Sequence, residues 1–467
     1  MEDFWKTLFA CEDSGWDFIK NGSWQIDAYD VTVILDPKEH SIEVDGNAEG
    51  TVLVESCDEL RFILGLNVAS ESYAQVAIKA LSVNGQQRVD YGNGGYKFHI
   101  PFLQKASKGD SVTLGFHYTS VPLARKCWVN SDSKGPVQGL GDGETELCFE
   151  GFWLPWANAQ FQPVMATVEI VDKAGCQVIF NGELLETWQE GGATHSKYRT
   201  TIPGHPTLIA GEFERTTKIV GDGGSITFYH QKDYAKVAQD IVDFTQGILE
   251  RFVKWFTVNP VRDFYLVQLK RTEFGQYAPF PMVIFPRDDI SREMARENWE
   301  RLAGMLGHEV SHFWFGGLLS SNPNEQWLSE GFAQYMSLLI AEEFYGDEVL
   351  HKKLKQYLKA LYDIRNEPQA ALCDIPLRHP LQPMLVRTKG AIVLHCLRQA
   401  LGLDGFKEFL SEFVRKHRGE HITTDTVEGL CHEMFPKLDT TSFFDIHLKS
   451  TAVYEWDDTE GAVRVRQ

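Results

Sequence analysis

The decisive stretch of this sequence reads Gly307-His308-Glu309-Val310-Ser311-His312-Phe313-Trp314. The surrounding apolar spacing predicts a helix that begins near Ser291 as its N-cap, and no proline interrupts it between the two histidines. Residues four apart lie on the same face of an α-helix, so His308 and His312 can reach one cation. Glu309, next to the first histidine, can point towards a water molecule bound to that cation.

A catalytic zinc site needs a third protein ligand, because zinc usually takes three and leaves a fourth position for water. The stretch Trp327-Leu328-Ser329-Glu330-Gly331-Phe332-Ala333 lies on a second predicted helix that runs to about Tyr345. Glu330 on that helix completes a set of two histidines and one carboxylate, which predicts one Zn²⁺ per chain. A solvated helix face with incidental histidines is disfavoured, because a chance HExxH occurs in roughly a few per cent of chains of this composition.

The first two hundred or so residues predict β-structure. Apolar and polar residues alternate in Val31–Leu35, Ser41–Val44 and Val112–Phe116, and turn residues separate these runs. Many short strands with polar turns indicate a sandwich or an open barrel.

The pattern changes near residue 230. From Val237 to Phe252 apolar residues recur at three- and four-residue steps, which predicts a helix, and strands are expected at Phe264–Val267 and Met282–Phe285. Beyond about Ser291 the chain is expected to be mostly helical to Leu448. The sequence therefore predicts an α+β fold, with an all-β domain at residues 1–215 and a mostly helical domain at residues 216–467.

Composition limits the classes of partner. The chain has 467 residues and a net charge of −20, which disfavours binding to nucleic acid and to anionic membranes. No run of 18 apolar residues predicts a membrane span, and the acidic N-terminus does not resemble a secretory signal. Eight scattered cysteines without a CxxC pair favour a reduced, cytoplasmic protein, so a metal site must use histidines and carboxylates.

Two motifs resemble those of a known family. His308–Gly316 (HEVSHFWFG), followed by Trp327–Tyr335 (WLSEGFAQY), resembles the gluzincin aminopeptidases, the family of aminopeptidase N and leukotriene hydrolase. Members carry HExxH-x-WFG and then WLNEGFA. The segments Asp30–Leu64, Phe152–Ile170 and Lys389–Leu397 are similar to the family's β-saddle domain, its proline-centred crossing strand and the segment after its zinc site.

The resemblance implies a saddle-like β domain followed by a thermolysin-like catalytic domain. It also implies a zinc metallopeptidase in which His308, His312 and Glu330 bind the metal. In that mechanism Glu309 accepts a proton from the zinc-activated water that attacks an amide carbonyl. The expected substrate is a peptide or a peptide-like small molecule.

The sequence departs from the family in four places. First, 17 residues separate His312 from Glu330, one fewer than in the family. Second, the family's GxMEN strand, whose Glu binds the substrate amine, corresponds to Tyr277–Pro281, which has no carboxylate. Third, Arg387 replaces the family's transition-state Tyr. Fourth, the sequence stops about where the family's catalytic domain ends, so the helical C-terminal domain is expected to be absent.

These departures leave alternatives open. Arg387 either donates a charged hydrogen bond to the oxyanion, as a further catalytic residue, or forms an exposed ion pair. The favoured function is a zinc hydrolase that cleaves amide bonds in a peptide or peptide-like substrate. The second hypothesis is an ordinary aminopeptidase with a relocated amine anchor, and the third is an inactive scaffold or binding protein on the same fold.

Overall fold

The computed structural model describes residues 18–19, 22–36, 38–67, 72–73, 75–121, 139–141, 144–148, 152–158, 162–221, 223–270, 276–286, 299–376 and 379–466. The predicted N-cap Ser291 lies outside these residues. The described chain divides into two compact units. Unit 1 takes its residues from Met1–Arg215, Tyr229–Asp233 and Val267–Asp289, and unit 2 from Thr216–Phe228, Tyr234–Leu266 and Ile290–Gln467.

Unit 1 consists of β-strands. An eight-stranded sheet has the order β15-β16-β13-β1-β2-β10-β6-β7, and smaller sheets have the orders β3-β9-β8, β11-β12-β17-β14 and β4-β5. The strands are β1 Trp24–Asp36, β2 Ser41–Val52, β3 Cys57–Ile63, β4 Leu66–Asn67, β5 Ser72–Tyr73, β6 Gln75–Val83, β7 Gln86–Gln87, β8 Gly92–Gly94, β9 Lys97–Ala106, β10 Ser111–Val121, β11 Gly139–Gly141, β12 Glu144–Leu147, β13 Met165–Asp172, β14 Gln177–Phe180, β15 Glu183–Glu190, β16 Ala193–Arg199 and β17 Leu208–Gly211.

The large sheet follows from the alternation in its central strands. Val33 and Leu35 of β1 and Val44 of β2 are fully buried, while the residues between them are more exposed. Strand β1 pairs in parallel with β13, although the other described pairs of this sheet are antiparallel. The segment before β13 is hydrogen-bonded to β1 through the side chain of Asn158. Its amide oxygen accepts from the backbone N–H of Ile26 at 2.7 Å, and its amide nitrogen donates to the carbonyl oxygen of Ile26 at 2.8 Å.

Three further strands have residues in both units. They are β18 Glu214–Val220, β19 Gly224–His230 and β20 Asp263–Leu269, whereas β21 Met282–Pro286 belongs to unit 1. Strands β20 and β21 contain the two strands predicted in this part of the sequence.

Unit 2 is mostly helical. Its helices are α1 Ala238–Phe256, α2 Trp299–Ser311, α3 Glu330–Tyr345, α4 Asp347–Asp363, α5 Gly390–His417, α6 Thr424–Met434 and α7 Thr440–His447. Shorter helical turns lie at Pro323–Leu328, Leu372–Asp374 and Gln382–Met384, and a π-helical turn lies at Leu385–Lys389. A further turn, Lys232–Tyr234, lies where the chain passes from unit 1 to unit 2. Two small ladders pair β22 Ser320–Ser321 with β23 His421–Ile422 and β24 Tyr454–Asp457 with β25 Ala462–Val465.

The helices of unit 2 share an aromatic core. Phe252 of α1, on the buried face that the sequence predicts, contacts Trp314 just after α2. Phe315 stacks on Phe332 of α3 at 4.5 Å between ring centroids, and Phe332 stacks on Phe413 of α5 at 5.9 Å. These rings hold the helices that carry the predicted ligands in fixed positions.

The predicted α+β class is confirmed, since a β-rich N-terminal region precedes a helical one. We predicted a boundary after residue 215. The compact units also separate there, but two later segments, 229–233 and 267–289, belong to unit 1. In the part of the chain that the structure describes, no helix is long and apolar enough to span a membrane.

Candidate metal centre

The residues of the HExxH motif are buried at the end of α2: His308 and Glu309 lie in its last turn, and His312 directly follows its last residue, Ser311. His308, Glu309 and His312 expose only 5%, 2% and 8% of their surfaces, so a solvated helix face is not what the structure shows. The helix lies close against α3 because Gly307 has no side chain: a Cβ there would lie 3.3 Å from Ile340 Cβ and 3.3 Å from the Cα of Ser337. This close approach brings the start of α3 near the two histidines.

Glu330, the first residue of α3, completes the cluster. Its Oε2 atom lies 3.4 Å from His308 Nε2, and its Oε1 atom lies 3.8 Å from His312 Nε2. One ligand atom from each of the three buried side chains lies within 4.8 Å of the other two. Two imidazoles and one carboxylate are a usual donor set for catalytic zinc.

The tautomer of His312 follows from its neighbours. Its Nδ1 lies 3.1 Å from the carbonyl oxygen of Phe315, which only accepts, so this nitrogen carries the proton. In the neutral ring Nε2 then presents a lone pair, and it lies 3.3 Å from His308 Nε2. Burial lowers the pKa of His312, with the nearby His308 acting in the same direction and Glu330 opposing it. A neutral imidazole with a free Nε2 lone pair is the form that binds a metal.

The turn after α2 holds the carbonyl group of Phe315 in place. Gly316 has φ +116°, a conformation that favours glycine, and a Cβ there would lie 2.8 Å from Ser329 Oγ. Ser329 Oγ donates to the Phe315 carbonyl at 3.1 Å and lies 3.2 Å from His312 Nδ1. Such second contacts fix the orientation of a ligating imidazole.

Arg387 contacts the third ligand directly. Its Nε donates to Glu330 Oε2 at 2.8 Å, and the two side chains are 28% and 10% exposed. The pKa of Glu330 lies well below its usual range: burial, the largest influence, raises it, but the Arg387 charge and the two histidines together outweigh burial. The carboxylate is therefore charged. Of the two roles that the sequence left open for Arg387, the ion pair is present, but it is largely buried and is formed with the predicted metal ligand Glu330.

The buried polar atoms fit a metal centre with an adjacent base. Among the described residues, Glu309 Oε2 and His308 Nδ1 are buried without a hydrogen-bond partner. A buried carboxylate oxygen without a partner costs free energy, so this arrangement suits a group that bonds to a ligand or a water molecule. The donor set, its burial and the neutral His312 all fit zinc.

Sequence reasoning missed three polar residues around the cluster. Ser329 precedes Glu330, and its role could be suspected only from its place in the motif. Gln334, one turn after Glu330, donates to the hydroxyl of Tyr357 on α4. Burial raises the pKa of Tyr357 to about 12, although the Gln334 hydrogen bond and the Arg387 charge oppose the rise. No local pattern pointed to Tyr357, because it reaches this region only through the packing of α4.

Comparison with known families fits this geometry. The model of the peptidase family M1 domain matches residues 242–446, which include every predicted ligand, Glu309 and Arg387. The chain contains a peptidase family M1 domain. The resemblance to gluzincin aminopeptidases is therefore confirmed for this part of the chain, and the domain supports a hydrolase of the peptidase class.

Named relatives of the M1 domain are aminopeptidases. Endoplasmic reticulum aminopeptidase 1 of Homo sapiens is 25% identical over 245 residues, which make up 48% of this chain and 25% of that protein. Aminopeptidase M1-A of Oryza sativa subsp. japonica is 21% identical over 236 residues, 48% of this chain and 27% of that protein. The matched stretches thus make up about a quarter of the length of these relatives.

Solved structures share the fold. An M1 zinc metallopeptidase from Deinococcus radiodurans has a TM-score of 0.71 at 18% identity, covering 95% of this chain and 97% of that one. A two-domain M1 zinc metallopeptidase variant bound to L-arginine has a TM-score of 0.71 at 19% identity, covering 92% and 95%. Both comparisons extend beyond the M1 domain into the β-rich part of the chain.

Proposed function

We propose that this chain is a zinc-dependent metallohydrolase that cleaves amide bonds in peptides or peptide-like molecules. The observation that carries the proposal is the convergence of His308, His312 and Glu330 beside the buried carboxylate of Glu309. The M1 domain supports zinc-dependent peptide hydrolysis as the general chemistry.

Each residue has a distinct task in this proposal. His308, His312 and Glu330 would hold the zinc ion. Bound zinc would supply an acidified water molecule and polarise the substrate carbonyl. Glu309 would accept a proton on Oε2, the oxygen that has no partner among the described residues. The contacts of Ser329 and the Phe315 carbonyl keep His312 in the orientation that a ligand needs.

A second candidate function is an ordinary aminopeptidase whose amine anchor is another carboxylate. One observation within unit 1 favours it. Tyr277, in the segment that resembles the family's amine-binding strand, donates from its hydroxyl to Glu146 Oε1 at 2.7 Å. Glu146 is only 5% exposed, so a carboxylate is buried beside a segment that has none of its own.

The proposed function is tested by the substitution Glu309→Gln. The variant is expected to keep zinc, because this carboxylate is not one of the converging ligand atoms, and to lose activity by roughly a hundredfold or more. Zinc content and the hydrolysis of a mixed peptide library are measured on parent and variant. The control is Glu412→Gln, which alters a partly exposed carboxylate paired with Arg415 and should leave both quantities unchanged. Parental turnover by the Glu309→Gln variant would contradict the proposal.

A further inference from the structure

The contact between Arg387 and Glu330 differs from an ordinary surface ion pair. The carboxylate is nearly buried, and the Nε–H of Arg387 meets one defined oxygen, Oε2, at 2.8 Å. A charge-assisted hydrogen bond of this kind is stronger and more directional than one between neutral groups. It therefore restricts how the carboxylate can rotate about its terminal bond.

The backbone around Arg387 is held as firmly as the side chain. The π-helical turn Leu385–Lys389 packs on the start of α3, where a Cβ on Gly331 would lie 2.9 Å from the carbonyl oxygen of Val386. A Cβ on Gly390 would lie 2.9 Å from the Cα of Gly331. Two glycines thus allow the backbones that carry Arg387 and Glu330 to approach closely.

The two carboxylate oxygens consequently have different surroundings. Oε2 accepts from Arg387 and lies 3.4 Å from His308 Nε2, whereas Oε1 lies 3.8 Å from His312 Nε2. An oxygen already bonded to a guanidinium is a weaker donor to a metal ion than its neighbour. We propose that Arg387 is a positioning residue that orients the Glu330 carboxylate, so that Oε1 alone binds the metal ion.

This inference rests on the proposed zinc function, because it concerns a ligand of that site. Two effects of Arg387 on zinc affinity oppose each other. The guanidinium repels the cation, but the hydrogen bond pre-orients the ligand, and the loss of such a contact typically lowers metal affinity by about 10- to 100-fold. Whether zinc affinity falls or rises when Arg387 is removed shows which of the two effects is larger.

The experiment uses the substitution Arg387→Met, which removes the charge and the donor but keeps an unbranched side chain. Zinc is removed with a chelator, and the dissociation constant for zinc is measured by competition with a chromophoric chelator. We expect a zinc dissociation constant about 10- to 100-fold above that of the parent. The control is Arg415→Met, which removes an exposed arginine paired with Glu412 and should leave zinc affinity unchanged.

A spectroscopic measurement separates positioning from a general loss of structure. In the cobalt(II)-substituted protein, visible absorption reports the coordination number. The parent is expected to show the strong absorption of a four-coordinate site, and Arg387→Met the weaker absorption of a site in which both Glu330 oxygens bind. If Arg387→Met does not fold, Arg387→Lys is measured instead. Lysine keeps the charge without the planar donor group, so its zinc dissociation constant should still exceed the parental one.

The outcomes distinguish the two proposals. A parent that binds no zinc would overturn the proposed function and this inference together. A parent that binds zinc, with an Arg387→Met variant that binds it equally or more tightly, would overturn only the inference and would show that charge repulsion is the larger effect.

Discussion

Gly331 and Gly390 face each other so closely that a methyl group on Gly390 would lie 2.9 Å from the Cα of Gly331. Neither glycine has the left-handed φ that would by itself demand glycine. Glycine is therefore needed at both positions because the two backbone segments lie too close for a side chain. This close packing brings Arg387 to Glu330.

Substituting either of these glycines by alanine should destabilise the protein. Backbone atoms cannot yield as a flexible side chain does, so Gly331→Ala and Gly390→Ala should each lower the free energy of unfolding by about 1–3 kcal/mol. The matched control is Gly304→Ala inside α2, where no described atom lies within 4 Å of the added Cβ. It should raise the free energy of unfolding by up to about 1 kcal/mol. Urea unfolding followed by circular dichroism measures all three, and equal stability in the three variants would argue against the tight contact.

Metal content should depend on the two motif histidines. We predict one tightly bound zinc per parent chain and a large loss of zinc in His308→Ala, because two remaining ligands hold zinc weakly. Elemental analysis of protein purified without a metal-binding tag provides the measurement. His351→Ala, which changes an exposed histidine on α4, serves as the control and should keep the parental zinc content. Full zinc occupancy in His308→Ala would refute the ligand assignment.

The chain should be a poor general aminopeptidase. Ala278, Pro279 and Phe280 carry no charge, and Pro279 and Pro281 lack the backbone N–H that could bind an extended peptide. We therefore expect acetylated and free-amine amino-acid arylamides to be hydrolysed at similar rates. Steady-state kinetics on matched pairs with several side chains provides the comparison. Efficient hydrolysis of the free-amine series, abolished by acetylation, would instead establish the second candidate function.

Stability should rise with pH above 8 because of Lys389. Burial lowers the pKa of this amine from 10.5 to about 8, and its Nζ donates to the carbonyl of Ser450. Between these two values the unfolded chain holds the proton more firmly than the folded chain does, so the free energy of unfolding increases with pH. Below pH 8 both states are protonated, and the cost of burying the charge is constant.

The measurement is the free energy of unfolding of zinc-free protein at several pH values from about 8 to 10.5. Lys389→Met should flatten the pH dependence over this range. Lys352→Met, at an exposed position of α4, should leave it as in the parent. An unchanged slope in Lys389→Met would show that this lysine is not the group responsible.

Much of the architecture could be predicted from local patterns. The alternation at Val31–Leu35 and Ser41–Val44 predicted β1 and β2, and the spacing from Val237 to Phe252 predicted α1. These predictions succeed because the two-residue period of a strand and the 3.6-residue period of a helix are properties of the backbone itself. Residues 229–233 and 267–289 belong to unit 1 because of contacts between distant parts of the sequence, which no local pattern predicts.

The sequence by itself determined that His308 and His312 share a helix face next to Glu309, because helical geometry fixes residues four apart. Its motif also named Glu330. Only the tertiary structure decided that Arg387 bonds to Glu330, that Ser329 and the Phe315 carbonyl set the tautomer of His312, and that Tyr357 lies nearby. The reason is physical: apart from the contact of His312 with Phe315 in the turn after α2, these contacts join residues far apart in the sequence. Their distances depend on how closely glycine-bearing backbones pack, which no local pattern predicts.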